Sequence, residues 1–215
     1  MNKTEQPNYS IGEELINSIS HGIGVLFGIA ALVLSIVYSN EPIKIISVSL
    51  YGITLIILYS VSCLYHSFPP INKAKKIFRI LDHDCIYLLI LGTNIPYLLI
   101  SVGGIKGWIL FGILFFLTII GIILNSINLE KYKNISLISY ILMGWIIILS
   151  FKNLHLTIGY EGLLLLILGG ILYTIGIIFY KLGKKIKYMH SVFHLFVLAG
   201  SILHFFSIFL YVVRW

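Results

Sequence analysis

"KYMHSVFHLFVLAGSILHFFSIFLYVVRW", residues 187–215, joins a short basic flank to a long, almost uninterrupted apolar run. Such a run is the composition of a membrane-spanning helix, since about 20 apolar residues rising ~1.5 Å each cross ~30 Å of hydrocarbon. Yet it carries His190, His194 and His204. Imidazole is costly in lipid unless it is paired, so these three side chains require partners from elsewhere in the chain.

The rest of the chain has the same character. Its 215 residues are 59% hydrophobic and 11% charged, with a mean hydropathy of +1.00, which excludes an ordinary soluble domain. Seven apolar spans are expected, at residues 19–38, 45–64, 82–102, 108–124, 135–150, 162–180 and 190–213. Helix is required because only helices and closed barrels satisfy every backbone group in lipid, and these runs are too long and continuous for barrel strands. The expected fold is therefore an all-α integral membrane protein, a seven-transmembrane helix bundle. Pro96 should bend the third span, and Gly169, Gly170 and Gly176 should let the sixth pack closely on a neighbour.

Charge sets the orientation. With seven spans, eleven of the fifteen lysines and arginines fall on the side shared by the leader and the second, fourth and sixth connections. Only Lys44, Lys106, Lys152 and Arg214 fall on the other side. The positive-inside rule then places the N-terminus in the cytoplasm and the C-terminus, Trp215, outside. Residues 1–18 read as a polar cytoplasmic leader without a signal-peptide core, and residues 19–213 as a single seven-helix domain. The net charge of +7 sits in short connections rather than in a basic domain, which argues against nucleic acid as a partner. Cys63 and Cys85 form neither a disulfide framework nor a zinc-type pair.

This topology brings separated polar residues to one depth. His66 ends the second span, Asp82 begins the third, and His190 and His194 begin the seventh, all at the cytoplasmic face. His190 and His194 are four apart on one helix, so their rings share a face. Ser62 precedes His66 by the same spacing and puts a hydroxyl one turn deeper. Three neutral imidazoles with an open fourth position are the ligand set of catalytic zinc, which the all-imidazole set favours over iron or copper. A carboxylate nearby could hold or deprotonate a zinc-bound water. A lone His at a span end is usually an interfacial residue, but four costly groups at one depth call for a common explanation.

Other polar residues carry less weight. Glu14, Asn17 and His21 form a stripe that reads equally as capping or as support for the site. His83 and Asp84 are expected to be solvated at the interface. His204 lies ~21 Å along the helix from His190, too far to share a metal, and should find a hydroxyl or carbonyl in the bundle. His155 sits in an outer connection.

The chain resembles the haemolysin III family, the bacterial branch of the progestin and adipoQ receptor superfamily. The resemblance rests on "EELINSISHGIG" at 13–24, "SVSCLYHSF" at 60–68, "RILDHDCIYLLILGTNIPYLL" at 79–99 and "HSVFHLFVLAGSILHF" at 190–205. It implies a seven-helix bundle with zinc held by His66, His190 and His194, and it puts Ser62 and Asp82 beside the metal-bound water. Asp84 stands where relatives more often have a small residue such as serine.

Three functions follow as alternatives. The first is a zinc-dependent hydrolase of a lipid amide or ester, with one zinc per chain, Asp82 as proton acceptor and Ser62 orienting the water. The second is a membrane-lipid sensor or regulator braced by structural zinc. The third is a pore-forming cytolysin, for which the fourth to sixth spans offer few polar residues. In all three the protein is a multi-pass protein of a bacterial plasma membrane, with membrane lipid as substrate or ligand.

Overall fold

The computed structural model describes residues 9–214, and every regular element among them is helical. Helix α1 spans Ile11–Val37, α2 Pro42–Ser67, α3 Lys73–Pro96, α4 Gly104–Gly144, α5 Phe151–Leu182 and α6 Met189–Ile208. Residues 1–8 of the expected leader and the terminal Trp215 lie outside the described residues.

The ends of these helices follow from their sequences. Ser10 caps α1 in a reciprocal box, its hydroxyl accepting from the Glu13 N–H while the Glu13 carboxylate accepts from the Ser10 N–H. Pro42 opens α2, where its missing N–H is no loss, and the Asn72 side chain caps α3. Pro96 closes α3 and the chain runs on as a wider π-helical turn, Tyr97–Val102, so the expected distortion of the third span is present. A similar turn, Phe209–Val213, follows α6.

Five helical runs are long and apolar enough to cross a membrane: Ile11–Val37, Pro42–Ser67, Lys73–Val102, Gly104–Leu182 and Met189–Val213. The 79-residue run is not one rod. Asn128 has extended backbone angles, and Gly159 takes a left-handed φ of 65° that a residue with a Cβ rarely adopts. Ser136 donates to Asn125 Oδ1 at 2.7 Å although the two are eleven positions apart. A continuous helix would separate them by ~16 Å, so the chain doubles back at Asn128. Lys106 Nζ reaches the Leu149 carbonyl at 2.8 Å, which closes the far end of this hairpin.

Cross-helix bonds gather several termini at one end of the bundle. The Tyr188 N–H donates to Glu13 Oε1 at 2.7 Å, Lys75 pairs with Glu14, and Arg79 pairs with Glu130. The start of α1, the α2–α3 connection, the turn at Asn128 and the α5–α6 connection therefore meet there. Large apolar side chains such as Ile19, Leu26, Phe116 and Leu156 stay exposed around the bundle, as expected of a surface that faces lipid. The chain is a multi-pass membrane protein.

Candidate metal centre

His66 sits in the last turn of α2, and His190 and His194 in the first two turns of α6. All three are buried, and one ring nitrogen of each lies within 4.8 Å of those of the other two. His190 Nε2 and His194 Nε2 are 3.1 Å apart, as their four-residue spacing on one helical face requires. Tyr188 turns the chain into α6 at a left-handed φ of 65°, unfavourable for a side chain of its size. Its N–H is held by Glu13, so the carboxylate that completes the α1 capping box also fixes where the two histidines begin.

The side chains around the trio set its chemistry. Glu14 Oε2 accepts from His66 Nδ1 at 2.6 Å, and Glu14 Oε1 accepts from Lys75 Nζ at 2.6 Å. Lys75 is itself buried, bonded to the Phe68 carbonyl and lying 5.1 Å from the Tyr65 ring centre. With its proton on Nδ1, His66 presents Nε2 as a bare lone pair, and this buried atom has no hydrogen-bond partner among the described residues. Asn17 accepts from Ser191 at 2.6 Å, and its amide nitrogen lies 3.4 Å from His66 Nδ1, tying α1 to both ligand helices. Three imidazoles, with an orphaned Nε2 aimed inward and a carboxylate fixing its tautomer, fit a zinc ion.

A cavity of about 140 Å³ opens beside the histidines, lined by Ser62, Asp82, His21 and His194 and continuing between apolar residues such as Leu58, Ile86 and Val197. Ser62 is buried and its hydroxyl has no partner among the described residues, whereas Asp82 is partly buried. Asp82 also lines a wider opening of about 670 Å³ at the end of the bundle, together with His190, Tyr65 and Tyr180.

Several residues stand closer to the centre than sequence reasoning ranked them. His21 stacks on His194 with ring centres 3.7 Å apart, and neither of its nitrogens has a partner among the described residues. Tyr9 stacks on His190 with ring centres 4.7 Å apart, and burial raises its phenol above the ordinary value. The stripe at 14, 17 and 21 was legible as an i, i+3, i+7 pattern; Tyr9 had no such signal.

Two expectations need correction. Asp84 is not solvated: it is buried against α4, where Ser126 donates to it at 3.4 Å, because α3 packs with that face inward. His83 is partly buried, its ring nitrogens 2.9 Å from the Arg79 carbonyl and 3.2 Å from the Tyr180 hydroxyl. His204, as expected, meets a carbonyl within the bundle, that of Leu166 at 3.0 Å. His155 is exposed.

Comparison with known proteins gives one family. A family model described as haemolysin-III related matches residues 9–205. The chain is 40% identical over 206 residues to Hemolysin-3 of Bacillus cereus, covering 94% of this chain and 93% of that protein. It is 39% identical over 209 residues to the Hemolysin-3 homolog of Bacillus subtilis (strain 168), covering 96% and 97%. It is 26% identical over 206 residues to the human Monocyte to macrophage differentiation factor, covering 94% and 85%.

Proposed function

The chain belongs to the haemolysin-III related family, and we propose that it is a seven-span zinc protein of the bacterial plasma membrane that hydrolyses a lipid amide or ester. The observation that carries this reading is a buried three-histidine group beside a cavity that also holds a carboxylate and an unpartnered hydroxyl. His66, His190 and His194 hold one zinc per chain. Zinc in such a site lowers the pKa of water and polarises a carbonyl.

The remaining roles belong to the protein. Asp82 accepts the proton that water loses as its oxygen attacks the carbonyl carbon, and returns it to the departing nitrogen or oxygen as that bond breaks. Ser62 orients the water through its free hydroxyl. Leu58, Ile86 and Val197 keep the inner cavity apolar, which suits an acyl chain and lowers the local dielectric around Asp82.

Seven spans and their orientation belong to the same proposal. The reversal at Asn128 and the break at Gly159 support dividing the 79-residue run into three crossings. Lysines and arginines concentrate at the end that carries the histidines, which supports a cytoplasmic site.

The test is product release from a panel of lipid amides and esters by the zinc-loaded protein and by Asp82→Asn, with zinc measured in both. Loss of hydrolysis by roughly 10²–10⁴-fold with zinc retained is expected. A zinc-loaded parent that cleaves nothing across the panel would shift the reading to a sensor with structural zinc. The names of the Bacillus relatives carry a cytolytic reading, so a red-cell lysis assay belongs beside the lipid assay. Lysis that persists in Asp82→Asn would separate it from hydrolysis.

A further inference from the structure

The opening at the histidine end of the bundle has a distinct charge pattern. Arg79 from α3, Lys133 from α4 and Lys184, Lys185 and Lys187 from the α5–α6 connection all line it. Of the three acids that line it, Glu13 and Glu130 are already engaged, and Asp82 stands where the opening meets the cavity beside the histidines. Both Glu13 oxygens accept bonds, from Tyr188 and Ser10, and Glu130 holds Arg79 and Lys133. Lys184, Lys185 and Lys187 make no ion pair among the described residues, and Lys184 instead lies over the Tyr180 ring at 5.4 Å. Partial burial lowers the Lys184 pKa, with Lys133, Arg79 and Lys181 adding to the effect against Glu130. An anion placed there would relieve that crowding.

Position distinguishes this cluster from lysines that merely mark topology. Asp82, His83 and Tyr180 line both this opening and the apolar cavity beside the histidines, so the two spaces meet at the candidate centre. A molecule spanning them has an anionic head among lysines and an apolar tail among Leu58, Ile86 and Val197. A free anion would use the first space only. We propose that the opening binds the phosphate of a lipid headgroup, so that the substrate of the candidate centre is a phosphate-bearing lipid rather than a neutral one. This rests on the hydrolase reading for the word substrate, but the binding site stands without it.

Binding is therefore measured with ligands that the protein cannot hydrolyse. The zinc-loaded protein, in nanodiscs of a neutral, phosphate-free glycolipid, is titrated with dodecyl phosphate, with dodecyl maltoside of the same chain length, and with inorganic phosphate. Dodecyl phosphate should bind roughly tenfold or more tightly than the maltoside, the order expected from two lysines near an anionic headgroup. The double variant Lys184→Gln/Lys187→Gln should bring that ratio close to one while leaving maltoside binding, zinc content and thermal unfolding unchanged. Asp82→Asn should keep the preference, so failed hydrolysis and failed headgroup recognition read out separately. Equal binding of the two dodecyl compounds, or a preference that survives the double variant, would overturn the proposal. Inorganic phosphate binding as tightly as dodecyl phosphate would overturn the lipid assignment.

Discussion

The Glu14 carboxylate accepts a hydrogen bond from His66 Nδ1 at 2.6 Å, joining the first turn of α1 to the last turn of α2. The bond decides which nitrogen of His66 faces the other two histidines. A carboxylate partner also makes the imidazole a stronger electron donor. Glu14→Gln should therefore weaken zinc binding by about 10–100-fold, measured by competition with a chelator. It should also strand Lys75 as a buried charge and cost about 3–5 kcal/mol of stability. The double variant Glu14→Gln/Lys75→Met should recover stability but not zinc affinity. Full recovery of both would make the Glu14–His66 contact incidental.

The histidines themselves should be unequal to the others in the chain. Alanine at His66, His190 or His194 should reduce bound zinc from about one per chain to a small fraction, since three protein ligands are the minimum set of such sites. His155→Ala, at an exposed position far from the trio, should leave zinc unchanged. Metal analysis of the purified variants decides this, and unaltered zinc in His194→Ala would remove the centre from consideration.

Close packing of α1 on α2 makes a second kind of forecast. A Cβ on Gly24 would overlap the Tyr59 ring, whose hydroxyl donates to Ser201 on α6 at 2.7 Å. Gly24→Ala must displace that ring or part the helices, and overpacking of this kind typically costs about 1–3 kcal/mol. Gly112→Ala meets open space and should be nearly neutral. Thermal unfolding in detergent compares them, and equal midpoints would contradict the packing described.

The topology can be read with single cysteines in a background where Cys63 and Cys85 are replaced by serine. Lys133→Cys and Lys187→Cys should resist a membrane-impermeant maleimide added to intact cells and react after lysis. Lys106→Cys and Lys152→Cys should react without lysis. Labelling of Lys133→Cys and Lys106→Cys from the same side would refute a membrane crossing between residues 106 and 133, and labelling of Lys133→Cys and Lys152→Cys from the same side would refute a return crossing after the reversal at Asn128.

Much of the site was legible because its signals are local or nearly so. His190 and His194 declare a shared helical face by spacing alone, and His66 stands out as an imidazole ending an apolar run. Ser62 and Asp82 stand out the same way, as polar groups at the same depth, and both line the cavity beside His194. Glu14 and His21 were visible as a stripe but ranked low, because capping explains such a stripe equally well. Only the packing of α1 against α2 and α6 gives each of them a histidine partner.

The sequence by itself determined that the chain lives in a membrane, where its apolar runs lie, and which costly polar groups must find one another. Hydropathy and i, i+4 spacing belong to consecutive residues, so no knowledge of neighbours is needed to read them. The tertiary structure decided which face of each helix turns inward, and with it the burial of Asp84, the Glu14–Lys75–His66 chain and the stacking of His21 and Tyr9 on the trio. The physical reason is that a helix apolar all round has no preferred face of its own. Its rotation is set by contacts with other helices and by the need to satisfy buried polar groups across them, which a single sequence does not display.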